Sequence, residues 1–197
     1  MVVRAIFAVL LALPTLARAA VEVPICYNYG CLSEATVRYD EATLTSIAAR
    51  LREARTAAQE RTALAHVVGW LYREAGRQSP IHADRAGDYL DEGVYGKMDC
   101  IDHGTSTTRL LEMLEARGAL RFHRVRPQAR RTRFVLFQHF SAVVEERVPG
   151  DGADATTAGD SPSGARFVID SWFREHGEPA VVLPLADWLD GDGPNVP

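Results

Sequence analysis

Segments with helical and with strand-like hydrophobic spacing are segregated along this chain, and their order points to the α+β fold class. Apolar residues at helical spacing, together with helix start and stop signals, predict helices over 40–54, 56–76 and 100–118. Strands are predicted around 120–125, 133–146 and 166–173, and the tail adds an edge strand and a turn of helix. Because the helices precede the strands, we expect N-terminal helices packed on an antiparallel sheet.

Three positions near the predicted helix ends carry specific expectations. Asp40 can cap the first helix through its carboxylate, and Gly76 is expected to end the second. Gly104 lies one turn inside the third helix, where glycine is unfavourable unless another part of the chain must approach closely. Between the second and third helices, residues 77–97 contain a proline and three glycines, so we predict a loop there.

The N-terminus has the composition of a secretory signal peptide. Arg4 supplies positive charge, residues 5–16 form a short apolar stretch, and Ala17-Arg18-Ala19 matches a small-x-small cleavage site. Residues 1–19 are therefore predicted to be a signal peptide, with an uncleaved anchor as the alternative, and residues 20–197 to form a single domain. We expect a periplasmic or secreted protein with no membrane span after cleavage.

Export bears on the three cysteines, because disulfides persist in oxidising compartments. Cys26 and Cys31 stand close together, and a disulfide between them would contribute about 2 kcal/mol by constraining the unfolded chain. The four residues between them suit neither the usual redox dithiol nor a zinc knuckle. This pairing leaves Cys100 as the odd thiol, and an unpaired thiol in an oxidising compartment is a reason to expect reactivity.

Cys100 begins the third predicted helix, and two strand-borne groups that suit thiolate chemistry follow it. His139 lies in Phe-Gln-His-Phe-Ser-Ala-Val-Val, and Asp170 lies in Phe-Val-Ile-Asp-Ser-Trp-Phe. A helix N-terminus favours a thiolate, an imidazole takes and returns a proton, and a carboxylate holds that imidazole in its useful tautomer. The ordered trio favours catalysis over the alternative that Cys100 is a buried small hydrophobe.

The strands that carry His139 and Asp170 are predicted to pair as a hairpin. If these two residues are direct cross-strand neighbours, they share one face of the sheet with Trp172, which is then expected to line a cleft. Residues 149–165, almost wholly Gly, Asp, Ala, Thr, Ser and Pro, are predicted to be a flexible loop joining the strands. The opposite face of the hairpin is expected to be continuous core (Phe134, Leu136, Phe140, Ala142, Val144, Phe167 and Ile169).

Two acidic clusters that contain histidine are the candidates for a metal site. The pair His82 and Asp84 and the group Asp99, Asp102 and His103 both lack a recognised ligand spacing, so neither a metal nor a cofactor is expected. His103 is expected to be solvated or to cap a helix end, and a place in the cleft is the alternative.

The charge distribution argues against nucleic acid as a partner. The chain carries a formal net charge of −4, which gives it no overall attraction for polyanions. Five arginines between residues 124 and 133 form a local basic stretch, which is predicted to be a solvated turn. If that stretch is functional, it suits an anionic polymer or a partner protein.

Residues from Glu60 through Trp188, about two-thirds of the chain, resemble the bacterial transglutaminase-like cysteine proteinase group of the papain-like superfamily. The resemblance implies a papain-like α+β core with Cys100 as nucleophile at a helix N-terminus, His139 as base and then acid, and Asp170 as the residue that orients the histidine. It also implies acyl transfer from an amide through a thioester to water or an amine. The resembling stretches are Glu60-Arg61, Asp99-Cys100-Ile101-Asp102, Leu110-Leu-Glu-Met-Leu114, His139-Phe-Ser-Ala-Val-Val144 and Val168-Ile-Asp170-Ser-Trp172-Phe173.

Two features around Cys100 qualify this expectation. No glutamine stands a few residues before it, so the Cys100 backbone N–H is expected to supply part of the oxyanion hole. Asp99 and Asp102 flank the thiol, and their charges are expected to raise its pKa. The predicted function is exported cysteine-dependent acyl transfer on a protein or peptide, such as a peptidoglycan peptide. The alternative is a catalytically inactive member of the same fold that serves as a periplasmic binding or assembly module.

Overall fold

The computed structural model describes residues 20–87, 90–133, 137–148 and 164–194, and it has the mixed α+β architecture that the sequence predicts. The predicted signal peptide (1–19) lies outside the described residues, as does most of the predicted loop 149–165. Within the described part of the chain, no helix is both long and apolar enough to span a membrane.

The described chain opens with a β-hairpin that is not among the predicted elements. Strands β1 (Val21–Tyr27) and β2 (Ser33–Tyr39) pair antiparallel as a separate two-stranded sheet. The predicted disulfide between Cys26 and Cys31 is present and closes the turn of this hairpin. Burial alternates along β2 and along the first half of β1, whose last three residues are all buried, and the buried apolar side chains of both strands pack on the core.

Two helices follow the hairpin as predicted. Helix α1 (Glu41–Arg52) is capped by Asp40, whose carboxylate accepts a hydrogen bond from Thr43 N at 2.7 Å. Helix α2 (Ala57–Gln78) continues past Gly76, so the prediction that this glycine ends the helix is wrong. A Cβ at Gly76 would overlap the imidazole of His176, and the glycine therefore serves close packing.

The second half of the chain forms helix α3 (Cys100–Ala116) and a four-stranded antiparallel sheet. The predicted tail strand and helical turn are present. Each strand pairs with the next one along the chain, and the strands are β3 (His123–Arg133), β4 (Phe137–Glu146), β5 (Arg166–Asp170) and β6 (Val181–Pro184). The short helix α4 (Leu185–Asp190) follows β6.

The arginine-rich stretch lies within β3, so the prediction of a solvated turn is wrong. Arg124 contacts the buried carboxylate of Glu145 on β4 at 2.5 Å, and Arg126 contacts it at 3.3 Å. Arg166 of β5 reaches the same carboxylate at 2.6 Å. Pairing with a buried acid explains why this basic sequence forms a strand, because an unpaired carboxylate would be costly to bury there.

The two faces of the sheet pack into different clusters. Ala142, Val144 and Ile169 face the main core, to which the three longer helices contribute. Helix α3 approaches β4 closely at Gly104, where a Cβ would contact the Phe140 backbone at 3.4 Å, as its position inside a helix suggested. On the other face, Val143 and Val168 join a smaller aromatic cluster.

The predicted register between β4 and β5 is wrong by two residues. Val143 pairs with Val168 and Ala142 with Ile169, and the same register continued by one residue sets Asp170 opposite Ser141. Because strand side chains alternate with a period of two, a slip of two residues leaves every side chain on its predicted face. His139 and Asp170 are thus diagonal neighbours on one face.

Candidate active site

His139 and Asp170 form a buried hydrogen-bonded pair. The distance from His139 Nε2 to Asp170 Oδ2 is 2.8 Å, and the two residues are 8% and 2% exposed. A carboxylate only accepts hydrogen bonds, so Nε2 carries the proton in this contact. Asp170 thereby fixes the tautomer of the imidazole and leaves Nδ1 to exchange a proton.

Three aromatic rings surround the imidazole of His139. The ring centroids of Trp172, Phe173 and Trp188 lie 4.7, 5.2 and 5.4 Å from its centroid. Trp172 is 2% exposed, so it packs against His139 and does not line an open cleft. Trp188 also donates from Nε1 to Asp170 Oδ2 at 3.0 Å, which holds the carboxylate in place.

Phe173 and Trp188 were not predicted as site residues. Phe173 follows the Asp170 strand, and Trp188 belongs to the predicted tail helix. Neither position has a spacing relative to Cys100 or His139 that would mark it, and an aromatic residue is more often core than site. Phe137, which shares the His139 face, is 65% exposed and does not join the aromatic cluster.

Cys100 is the first residue of α3 and lies beside β4. Its Sγ is 3.7 Å from the carbonyl oxygen of Gln138, and it takes part in a backbone hydrogen bond with Phe140. The sulfur therefore lies against the residues on either side of His139. Cys100 is half-buried and packs against the aromatic cluster, so the structure brings the predicted trio to one junction of helix and sheet.

The surroundings of Cys100 keep its thiol protonated at neutral pH. Burial raises the pKa of the Cys100 thiol to about 11, and the charges of Asp99 and Asp170 add to the rise. The backbone hydrogen bond with Phe140 opposes these effects without cancelling them. A nucleophilic role therefore requires a base that removes the proton during attack, because the thiolate is the reactive form.

The two acids beside Cys100 bind the disulfide loop. Asp102 accepts hydrogen bonds from Tyr29 N at 2.8 Å and from Cys31 N at 2.6 Å, and Asp99 accepts one from Gly30 N at 3.0 Å. Residues 28–31 all have positive φ, which turns successive N–H groups toward the carboxylates. Burial and the charge of Asp99 raise the pKa of Asp102 to about 6.

The same acids cap the helix that carries the candidate nucleophile. Asp99 accepts from Asp102 N at 2.8 Å, and Asp102 accepts from Asp99 N at 3.2 Å, which together form a capping box. The disulfide hairpin, the cap and the start of α3 are thus one hydrogen-bonded unit. The Cys26–Cys31 disulfide therefore closes the loop whose backbone N–H groups bind the acids on either side of Cys100.

His103 is neither solvated nor part of an open cleft, so these expectations are wrong. It is 4% exposed, and its Nε2 lies 2.9 Å from Asp84 Oδ2 while its Nδ1 lies 2.8 Å from Ser171 Oγ. Burial acts to lower the pKa of His103, but the charge and hydrogen bond of Asp84, together with the charges of Asp170 and Asp102, raise the pKa above its usual value. The contact with Ser171 joins α3 to the residue that follows Asp170.

One group of described residues has the geometry of a metal site, and it lies at the disulfide. The ligand atoms of Cys26, Cys31 and Glu34 are within 4.8 Å of one another. Because the two cysteines are joined to each other, they do not offer the thiolates that zinc requires.

No family model, curated protein or solved structure matches this chain. The resemblance to transglutaminase-like proteinases therefore stays a hypothesis.

Proposed function

We propose that this protein is an exported cysteine-dependent acyl-transfer enzyme, a peptidase, an amidase or a transglutaminase-like transferase. The observation that carries the proposal is the 2.8 Å hydrogen bond between His139 and Asp170. The Cys100 sulfur contacts β4 at Gln138, the residue before this histidine. A thiol at a helix start, an imidazole and a buried carboxylate are the groups that acyl transfer needs. The intramolecular disulfide is consistent with export.

In the proposed first half-reaction, His139 Nδ1 takes the Cys100 proton as the sulfur attacks an amide carbonyl carbon. The new carbon–sulfur bond leaves an oxyanion, to which the Cys100 backbone N–H donates at the helix N-terminus. Asp170 stabilises the imidazolium through Nε2. When the carbon–nitrogen bond breaks, His139 returns the proton to the leaving amine, and a thioester remains on Cys100.

The second half-reaction releases the acyl group. Water or an amine attacks the thioester carbon and gives its proton to His139, the carbon–sulfur bond breaks, and the proton returns to Cys100. Water yields a carboxylic acid and an amine yields a new amide. We propose a protein or peptide as the acyl donor, with a peptidoglycan peptide as one candidate for a periplasmic protein.

A second candidate function has one observation in its favour. The pKa of the Cys100 thiol is raised to about 11, the opposite of the lowered pKa of an activated cysteine. This favours a catalytically inactive papain-like fold that serves as a periplasmic binding or assembly module. The two candidates differ in whether an acyl group ever becomes attached to Cys100.

Acyl-enzyme trapping tests the proposal. The folded protein is mixed with p-nitrophenyl acetate, quenched in acid and mapped by mass spectrometry, with Cys100→Ser as the matched control. We expect one acetyl group at Cys100, removed by neutral hydroxylamine as a thioester is, and no acetyl group at position 100 that hydroxylamine removes in the variant. Acetylation of Cys100 no faster than that of free cysteine would instead support the binding module.

A further inference from the structure

A cavity of about 400 Å³ lies between α1 and α2, and none of its lining residues belongs to the Cys100 site. Its volume is within the range of about 300–1,000 Å³ that is typical of small-molecule sites. A more open groove of about 500 Å³ borders it and shares Arg50 and His66, and Glu53 is among the other residues that line this groove. The cavity therefore has the size and the access that a small ligand needs.

The charged groups of the cavity are two arginines, which share its polar part with a histidine and the hydroxyls of Thr43 and Ser46. Arg50, His66 and Arg73 line it, and none of its lining residues, all within the described chain, is an aspartate or a glutamate. This contrasts with the net charge of −4 of the whole chain. Arg73 donates to the Gly177 carbonyl oxygen, whereas Arg50 makes no ion pair among the described residues.

The remainder of the wall is largely apolar. Ile47 and Val67 are buried core residues that reach this surface, and Trp70 is a half-buried ring packed on the core. A tryptophan face offers a large apolar surface on which a ring or a hydrocarbon chain can lie. An inorganic anion would leave this wall unused, and a neutral apolar ligand would leave the cations unpaired.

We propose that this cavity binds an amphipathic organic anion that has one carboxylate, sulfonate or phosphate group on an apolar body. The planar guanidinium of Arg50 matches the two oxygens of such a group, and His66 lines the same cavity. The apolar body lies against Trp70. The site is separate from Cys100, so it stands whether or not the protein is an acyl-transfer enzyme.

Two fluorescent probes that differ by one anionic group test this assignment. Anilinonaphthalene sulfonate carries the sulfonate, and N-phenyl-1-naphthylamine has the same rings without it. We expect the folded protein to bind the sulfonate with at least about tenfold higher affinity, and Arg50→Gln to remove about tenfold of that affinity. Arg52→Gln is the matched control, because it removes one exposed arginine of the same helix outside the cavity.

Each variant is first checked by thermal melting, because partly folded proteins also bind the sulfonate probe. If Arg50→Gln fails to fold, His66→Gln replaces it, with a weakening of sulfonate binding as the expected result. The Arg52→Gln variant is expected to stay within about twofold of the parent. Equal affinity for the two probes, equal weakening by Arg50→Gln and Arg52→Gln, or no saturable sulfonate binding would overturn the assignment.

Discussion

Replacement of Asp170 by asparagine tests how the candidate site controls the tautomer of His139. Asp170 Oδ2 accepts from both His139 Nε2 at 2.8 Å and Trp188 Nε1 at 3.0 Å. Two close donors thus point at Oδ2 and one more distant donor, Trp172 N at 3.3 Å, points at Oδ1, so in Asp170→Asn the amide oxygen is expected at the Oδ2 position. That oxygen also accepts from His139 Nε2–H, and the variant keeps the tautomer while it loses the charge.

The size of the effect follows from the change in hydrogen-bond type. A hydrogen bond to a charged group contributes about 1.5–3 kcal/mol and a neutral one about 0.5–1.5 kcal/mol, so the expected loss is about 1.25 kcal/mol, or about eightfold in rate. Trp188→Phe in the Asp170→Asn background frees the amide to turn its NH₂ toward His139. The wrong tautomer then costs about a further hundredfold or more.

The acetylation rate of Cys100 and long-range ¹H–¹⁵N NMR of His139 provide the two readouts. Asp170→Asn is expected to keep the Nε2–H tautomer, and the double variant to show the Nδ1–H form and a loss larger than the product of the single losses. Trp188→Phe alone, with its thermal melt, is the control. An Nδ1–H tautomer in Asp170→Asn alone, or strictly multiplicative losses, would refute this reasoning.

Three further predictions concern the structure around the site. A thiol titration of the exported protein, denatured without reductant, should find only Cys100 free because Cys26 and Cys31 are bridged, and three free thiols would contradict the disulfide. Glu60→Ala should lower the free energy of unfolding by about 3–5 kcal/mol, because the buried Glu60 carboxylate binds the backbone N–H groups of residues 121 and 122 and the imidazole of residue 123. The exposed Glu112→Ala is the control and should change the free energy of unfolding by less than about 0.5 kcal/mol. Equal losses in the two variants would contradict this prediction. The pKa of Asp102 is raised from 3.8 to about 6, so the folded state holds this proton more tightly than the unfolded chain does. The resulting contribution to the free energy of unfolding is fully present below about pH 4 and is lost as the pH rises through 6. The stability of the parent relative to Asp102→Asn, from denaturant titrations, should therefore be greater at low than at neutral pH, and the reverse trend would contradict the raised pKa.

Local patterns were sufficient to predict the helices and, among the described residues, which side chains share a face of the sheet; Phe134 and Leu136 of the predicted core face lie outside the described residues. The Asp40 cap and the apolar spacing of α1 depend on neighbouring residues, and such signals are readable in one sequence. The same kind of local signal is present in β1, where Val21, Val23 and Ile25 occupy every second position, the spacing typical of a strand. Only the disulfide was predicted in this hairpin.

Properties that depend on distant parts of the chain were not predictable. The buried His103 contacts Asp84, which lies 19 positions away, and no spacing rule indicates that contact. The strand register was missed because a slip of two residues preserves the facing pattern of both strands. The residue types of Cys100, His139 and Asp170 and their chain order suggested the trio, whereas the aromatic enclosure of His139 depends on tertiary packing.

The pH dependence of Cys100 alkylation by iodoacetamide tests the central claim most directly, because it asks whether His139 activates the thiol. Rates at Cys100 are measured by peptide mapping for the parent, for His139→Ala and for the exposed His82→Ala as a matched control. We expect the parent and His82→Ala to react at neutral pH at least about tenfold faster than His139→Ala, whose rate should rise only at high pH. Identical profiles for the parent and His139→Ala, both rising toward the thiol pKa of about 11, would contradict the claim that Cys100 and His139 act together.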